Sequence, residues 1–172
     1  MLTSLYKDKS LKVKIQKLHH DAVIPKYSKN GDAGMDITAV SKYCDDEGNV
    51  VYGTGLAFEI PKGYVGLIFP RSSNAKQDLL LSNSVGVIDS GYRGEVMLKF
   101  KPSMDVSSSV SRHDKTDCSV SSASFGTKLK LYNLKDRIGQ IIIIPYPQVE
   151  FQLVEKLSTT ERGAGGYGST GK

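Results

Sequence analysis

No stretch of this chain offers a long amphipathic helix, and that one absence removes most architectures. A doubly wound α/β fold needs a crossover helix after each parallel strand. Here the apolar residues come in short runs broken by glycine and proline. Residues 11–18 begin as an alternation, with Leu11, Val13 and Ile15 set against Lys12, Lys14 and Gln16, before the pattern slips at Lys17. That start predicts a half-buried strand. Residues 50–60 form a second β region, interrupted by Gly53 and Gly55. Residues 64–70, 79–81, 84–88 and 92–100 follow as strands. Residues 128–134 alternate cleanly, 138–145 read as a buried run, and 149–154 continue after two prolines. Many short strands with this punctuation predict an all-β barrel or sandwich. Helix is confined to one or two turns near residues 73–79, with Ser72 or Ser73 as N-cap.

A chain of 172 residues can build one domain with a real core. Its 23 Lys and Arg against 18 Asp and Glu give a net charge of +5, which suits an anionic ligand. The charges are scattered, and no basic block with interleaved aromatics predicts a nucleic-acid surface. Cys44 and Cys118 lie far apart in polar surroundings, and no Cys/His spacing matches a zinc site. His19, His20 and His113 read as surface residues. The longest apolar run, around residues 141–145, is too short to span a bilayer, and no signal peptide is visible. The expectation is a soluble, cytoplasmic protein with no membrane contact. Residues 103–127, rich in serine, stand out as an inserted surface loop in which Val106, Val110 and Val120 could pair as a small hairpin.

Two segments carry chemistry. Residues 86–95, GVIDSGYRGE, read as strand, tight turn, strand, with Asp89 at the turn and Tyr92 three residues on. A carboxylate held at a strand end can act as a general base, and an aromatic beside it can pack on a ring. By themselves Asp, Ser and Gly are also ordinary turn formers. Residues 162–172, RGAGGYGSTGK, end the chain. They satisfy the G-x-G-x-x-G pattern and the first seven positions of a P-loop, but both patterns need a following helix to hold phosphate, and the chain stops. The tail keeps phosphate-binding donors in Arg162, Ser169, Thr170, Lys172 and its backbone N–H groups. Its glycines make it a flexible segment able to close over a ligand.

Five segments now stand in order: 33–37 (AGMDI), 70–73 (PRSS), 86–95, 136–140 (DRIGQ) and 162–171. This order and spacing resemble the trimeric dUTP pyrophosphatases, or dUTPases, over most of residues 33–171. The resemblance implies a jelly-roll-like β-barrel with one short helix, and a homotrimer with active sites shared between subunits. It implies one β domain over residues 1–161 and a C-terminal lid over 162–172. The implied reaction is hydrolysis of dUTP to dUMP and pyrophosphate, with Mg²⁺ on the triphosphate. Asp89 would activate water for in-line attack on the α-phosphorus. Tyr92 would pack on the sugar and leave no room for a 2′-hydroxyl. The uracil edge would be read by the backbone of Gly86, Val87 and Ile88 and at Met97, with Asn83. Arg71, Ser72 and Ser73 would hold phosphate oxygens, and Gln140 would donate to the α-phosphate. Asp36 would act indirectly on the metal, through water, or through an arginine. In the tail Arg162 would reach the outer phosphates, Tyr167 would cover uracil, and Gly168, Ser169 and Thr170 would close on the γ-phosphate.

Several positions depart from the family pattern. Met35 stands where an aromatic or leucine is common, Lys135 where glycine is frequent, Gly139 where a small residue such as alanine is usual, and Tyr167 where phenylalanine is usual. None removes a reacting group. The insertion at 103–127 is the larger departure; it is either a surface for a protein partner or a tolerated lengthening. The same fold also admits a dCTP deaminase-like enzyme or a nucleotide-gated regulatory module, against which Asp89, Tyr92 and the tail weigh.

Overall fold

The computed structural model describes residues 10–103, 109–112, 118–121 and 129–166, with 109–112 and 118–121 described by backbone alone. Tyr167, Gly168, Ser169 and Thr170 lie outside the described residues. Twelve strands run in chain order among these residues: β1 (Lys14–Lys17), β2 (Met35–Thr38), β3 (Ser41–Cys44), β4 (Val50–Gly53), β5 (Leu56–Glu59), β6 (Tyr64–Phe69), β7 (Leu79–Leu81), β8 (Gly86–Ile88), β9 (Met97–Pro102), β10 (Ser109–Arg112), β11 (Cys118–Ser121) and β12 (Arg137–Pro145). A single 3-10 turn, Ser72–Lys76, follows β6.

Two four-stranded antiparallel sheets form the body, one ordered β2-β12-β6-β8 and the other β3-β4-β9-β7. β1 pairs with β5, and β10 with β11. This is the expected all-β, jelly-roll-like arrangement. The inner faces meet in one core: Ile37, Ile68, Ile138 and Ile141 from the first sheet, Val50, Tyr52, Leu98 and Phe100 from the second. β12 is central in its sheet, so it is apolar on both faces and reads as a β-branched run. Gly139 sits where that strand approaches the opposing sheet. A Cβ there would lie 2.6 Å from Leu98 Cδ2 and 3.1 Å from the Phe69 carbonyl oxygen, so even alanine would push the layers apart. Tyr52, Phe100 and Tyr132 form an aromatic knot with ring centroids 5.8–6.0 Å apart.

Hairpin β3–β4 is closed by Asp45, whose Oδ1 accepts the backbone N–H groups of Glu47 and Asn49. Burial pushes this carboxyl upward. Hydrogen bonds from Lys99 and Asn49 outweigh it and bring the pKa down to about 2.

Several expectations fail for physical reasons. Residues 128–134 form no strand where described: Asp78 and Lys130 bond each other by one backbone and one side-chain contact, although Leu129 and Tyr132 are buried as the alternation requires. Residues 149–154 are not a strand either, because they have no partner edge, and their apolar side chains face solvent. Residues 86–95 are not strand, turn, strand: β8 ends at Ile88, β9 begins only at Met97, and the two lie in different sheets, because β8 pairs with β6 while β9 pairs with β4 and β7. The 3-10 turn is capped by Arg71 rather than Ser72 or Ser73, with no side-chain cap bond. Strands β2 and β3 carry no clean alternation and escaped sequence reasoning. Within the insertion, Val110 does pair with Val120. Cys44, at the end of β3, is disulfide-bonded.

Candidate active site

The register of the first sheet gathers Asp36, Gln140 and Arg71 into one cluster. Asp36 on β2 pairs with Gln140 on β12, and Gln140 pairs with Phe69 on β6. One row of the sheet therefore delivers Asp36, Gln140 and, just past Phe69, Arg71. Arg71 Nε donates to Asp36 Oδ1 at 2.6 Å, and Arg137 Nη1 donates to Asp36 Oδ2 at 2.9 Å. The Asp36 and Arg71 side chains are only 27% and 23% exposed. Arg71 Nη1 also donates to Ser73 Oγ at 3.0 Å. Gln140 Nε2 donates to the Pro70 carbonyl at 3.2 Å, which steadies the turn that carries Arg71. Ser72 stands exposed beside them.

Sequence reasoning missed three contributors. Arg137 donates to Asp36, while Asp136 Oδ2 accepts the Asn133 N–H. Tyr132 and Asn74 tie the phosphate loop to the core. Tyr52 donates its hydroxyl to the Tyr132 carbonyl, Tyr132 donates to Asn74 Oδ1, and Asn74 Nδ2 donates to the Leu79 carbonyl, all within 3.0 Å. Burial raises the Tyr52 and Tyr132 hydroxyls, so both stay protonated donors. Only the 128–134 apolar pattern hinted at Tyr132.

A second locus lies along the edge strand β8, between it and strands β7 and β9 of the other sheet. Asn83, Gly86, Val87, Ile88 and Met97 line one cleft of 120 Å³, floored by Ile68, Leu81 and Leu98. Ser84, with φ 59°, makes the tight bend that sets Asn83 at its mouth. Strand β8 then runs into Asp89, which is exposed, and the Tyr92 N–H closes the turn on the Asp89 carbonyl at 3.1 Å. Arg93 Nη1 locks that turn by donating to the carbonyls of Ser90 and Tyr92.

One chain does not unite the two loci. Ile88 pairs with Gly66, so Asp89 is level with Val65, whereas Arg71 lies beyond Phe69. Between those levels lie four residue steps of β6, Val65 to Phe69, about 13 Å at the usual rise, and then two residues beyond the strand. Arg162 joins neither; its Nε bonds the Gly165 carbonyl within the exposed tail.

As a metal site the set is poorly suited to a bare ion. Both Asp36 oxygens already accept guanidinium protons, so Asp36 is not available as a direct ligand. The arrangement fits a cation carried on a polyphosphate. Among the described residues, His19, His20 and Asp21 form a cluster of metal-type donors, but it lies on the turn after β1, and His19 Nδ1 already accepts the Asp21 N–H.

A model of the dUTPase family matches residues 20–115 and 108–171. The deoxyuridine 5′-triphosphate nucleotidohydrolase of Nautilia profundicola is 39% identical over 164 residues, covering 94% of this chain and all of that protein. Among solved structures, the Staphylococcus bacteriophage 80alpha dUTPase with dUPNHPP superposes with a TM-score of 0.70 at 26% identity, covering 95% of this chain and 100% of that one. An aspartate-to-asparagine mutant of the dUTPase from phage phi11 of S. aureus, described as coordinating a structural Mg(II) ion, superposes with a TM-score of 0.62 at 26% identity, covering 87% of this chain and all of that one.

Proposed function

The chain belongs to the dUTPase family, and from that premise we propose how its own residues hydrolyse dUTP to dUMP and pyrophosphate. Uracil enters the cleft of Asn83, Gly86, Val87, Ile88 and Met97. Hydrogen-bonding edges there discriminate against cytosine, because a mismatched base leaves buried polar groups unpaired. Tyr92 packs on the sugar and excludes a 2′-hydroxyl. The triphosphate, carrying magnesium as part of the substrate, lies on Arg71, Ser72 and Ser73, with Gln140 at the α-phosphate. Asp36 holds Arg71 and Arg137 in place and reaches the metal only through them or through water. The exposed Asp89 carboxylate takes the proton of a water that attacks the α-phosphorus as the bond to the pyrophosphate oxygen breaks. The β domain through residue 161 is followed by a lid, residues 162–172. In it Arg162 serves the outer phosphates, Tyr167 covers uracil, and Gly168, Ser169 and Thr170 close on the γ-phosphate.

One observation carries the assembly: Asp89 stands level with Val65 while Arg71 lies past Phe69, at the opposite end of β6. We infer that each site takes Asp89 and Tyr92 from one subunit and its phosphate set from another. The arm after β12 supports such an assembly, since Phe151, Leu153 and Leu157 are 93%, 98% and 81% exposed in the isolated chain. Apolar side chains so bare need cover, and a homotrimer that shares its sites supplies it. The insertion at 103–127 is left as an accessory surface for a protein partner.

Pyrophosphate release from dUTP, UTP, dTTP and dCTP, together with native mass, tests the reading. Turnover of dUTP alone, by a trimer, is expected. Ammonia release from dCTP would identify the deaminase alternative, and a fully active monomer would overturn the shared site.

A further inference from the structure

The Tyr92 ring is fixed by two neighbours that the reaction itself leaves idle. Its hydroxyl donates to the Glu95 backbone carbonyl at 2.9 Å. The ring lies over Gly94, where a Cβ would fall 2.5 Å from the Tyr92 hydroxyl oxygen and 2.7 Å from Cζ. Any side chain at Gly94 would drive the ring from this position. The Gly94 backbone is not left-handed, so a substitution there probes space rather than strain.

Glu95 in turn is anchored from behind. Its Oε1 accepts the Gly55 N–H at 2.7 Å. Next to it, the Val96 N–H donates to the Leu56 carbonyl at 2.8 Å, and the Val96 carbonyl accepts Thr54 Oγ1 at 2.7 Å. Gly53 leaves the space this needs, since a Cβ there would fall 2.6 Å from Glu95 Oε1. Three hydrogen bonds thus bolt Glu95 and Val96, just before β9, to Thr54, Gly55 and Leu56.

We propose that Glu95 is a positioning residue for sugar selection. Through Gly55 it fixes the carbonyl that anchors the Tyr92 hydroxyl, and Gly94 supplies the bare surface on which the ring lies. Tyr92 is 42% exposed. Untethered, a ring so open would rotate between staggered positions, and a 2′-hydroxyl could be admitted by moving it. Tethered at its tip and flat against Gly94, it is a fixed wall. The inference rests on Tyr92 as the residue that excludes the 2′-hydroxyl.

The test is the ratio of kcat/KM for dUTP to that for UTP, taken on one preparation, which cancels any difference in folded fraction. Glu95→Gln keeps an acceptor for the Gly55 N–H and should hold the ratio. Glu95→Asp is one methylene too short and should lower it about fivefold, the worth of one neutral hydrogen bond. Tyr92→Phe and Gly94→Ala lie at exposed positions and break the same tether without touching Glu95; each should lower the ratio similarly. The double variant Tyr92→Phe with Glu95→Asp should be no worse than Tyr92→Phe alone, because both remove one coupling. An unchanged ratio in Glu95→Asp, or additive losses in the double variant, overturns the proposal while a lowered Tyr92→Ala ratio keeps the sugar-site reading. A Tyr92→Ala ratio equal to wild type overturns that reading as well.

Discussion

Replacing Asp36 with asparagine should separate two roles that a carboxylate near a triphosphate can play. Asp36 accepts Arg71 at 2.6 Å and Arg137 at 2.9 Å. The Arg71 contact is between largely buried side chains, so it belongs to the charge-assisted class, worth about 1.5–3 kcal/mol. Arg137 is 57% exposed and adds little, below about 1 kcal/mol. Asparagine keeps one acceptor and the shape but loses the charge, leaving two guanidinium groups side by side. The expected cost in stability is about 2–3 kcal/mol. For a domain of this size that lowers the melting temperature by roughly 5–10 °C.

Catalysis should fall by a related amount. If Arg71 loses its hold in the transition state by one charge-assisted bond, kcat/KM for dUTP drops about 10- to 150-fold. The assay is pyrophosphate release below the melting transition, over a range of magnesium concentrations. Loss through Arg71 is indifferent to added magnesium, because the metal travels on the substrate. Recovery of Asp36→Asn at high magnesium would refute this reasoning and make Asp36 a metal-side residue. So would a variant with wild-type kcat/KM.

Asp89→Asn should lose about 10²- to 10⁴-fold in kcat with an unchanged melting curve, since Asp89 is exposed and supplies the base in the proposed mechanism. Asp89→Asn and Arg71→Ala, each inactive, should regain activity when refolded together, because mixed trimers contain sites with both residues intact; no recovery would count against shared sites. Lys135 holds φ 71°, a left-handed conformation that costs a side chain about 1–2 kcal/mol, so Lys135→Gly should raise stability by roughly 0.5–1 kcal/mol in urea unfolding. Asp45 has a folded pKa of about 2. Its contribution to stability is therefore complete above the ordinary carboxylate range and is lost as pH falls toward 2. Lys99→Met raises that folded pKa and should shrink the loss of stability between pH 5 and 2.

Local signals were legible and distant ones were not. Turn chemistry at 89–91 and the glycine-broken β segments are written in neighbouring residues, so the turn and most strands of both sheets could be read directly, whereas the partners of β8 and β9, which lie in different sheets, could not. Arg137 could not be paired correctly, because its partner depends on the register of β12 against β2, and one step of slip would send it elsewhere. A bulge between Arg137 and Gly139 sets that step, and no spacing rule announces it. Lys135 looked like a mere departure from a family glycine. Its positive φ explains both the glycine habit and the cost of breaking it.

The candidate site shows the same division at a larger scale. The proposed uracil and sugar contacts lie within residues 83–97, one continuous stretch. The proposed phosphate set is assembled by a row running Asp36, Gln140, Phe69 across three strands, and its rigidity comes from Tyr132 and Asn74, which carry no motif. What local signals could not give is where the two halves stand: strand register puts Asp89 level with Val65 and Arg71 past Phe69, at opposite ends of β6. If, as proposed, neighbouring subunits bring them together, a mutation at the exposed arm, such as Phe151→Asp, should abolish turnover without changing any of the proposed substrate contacts.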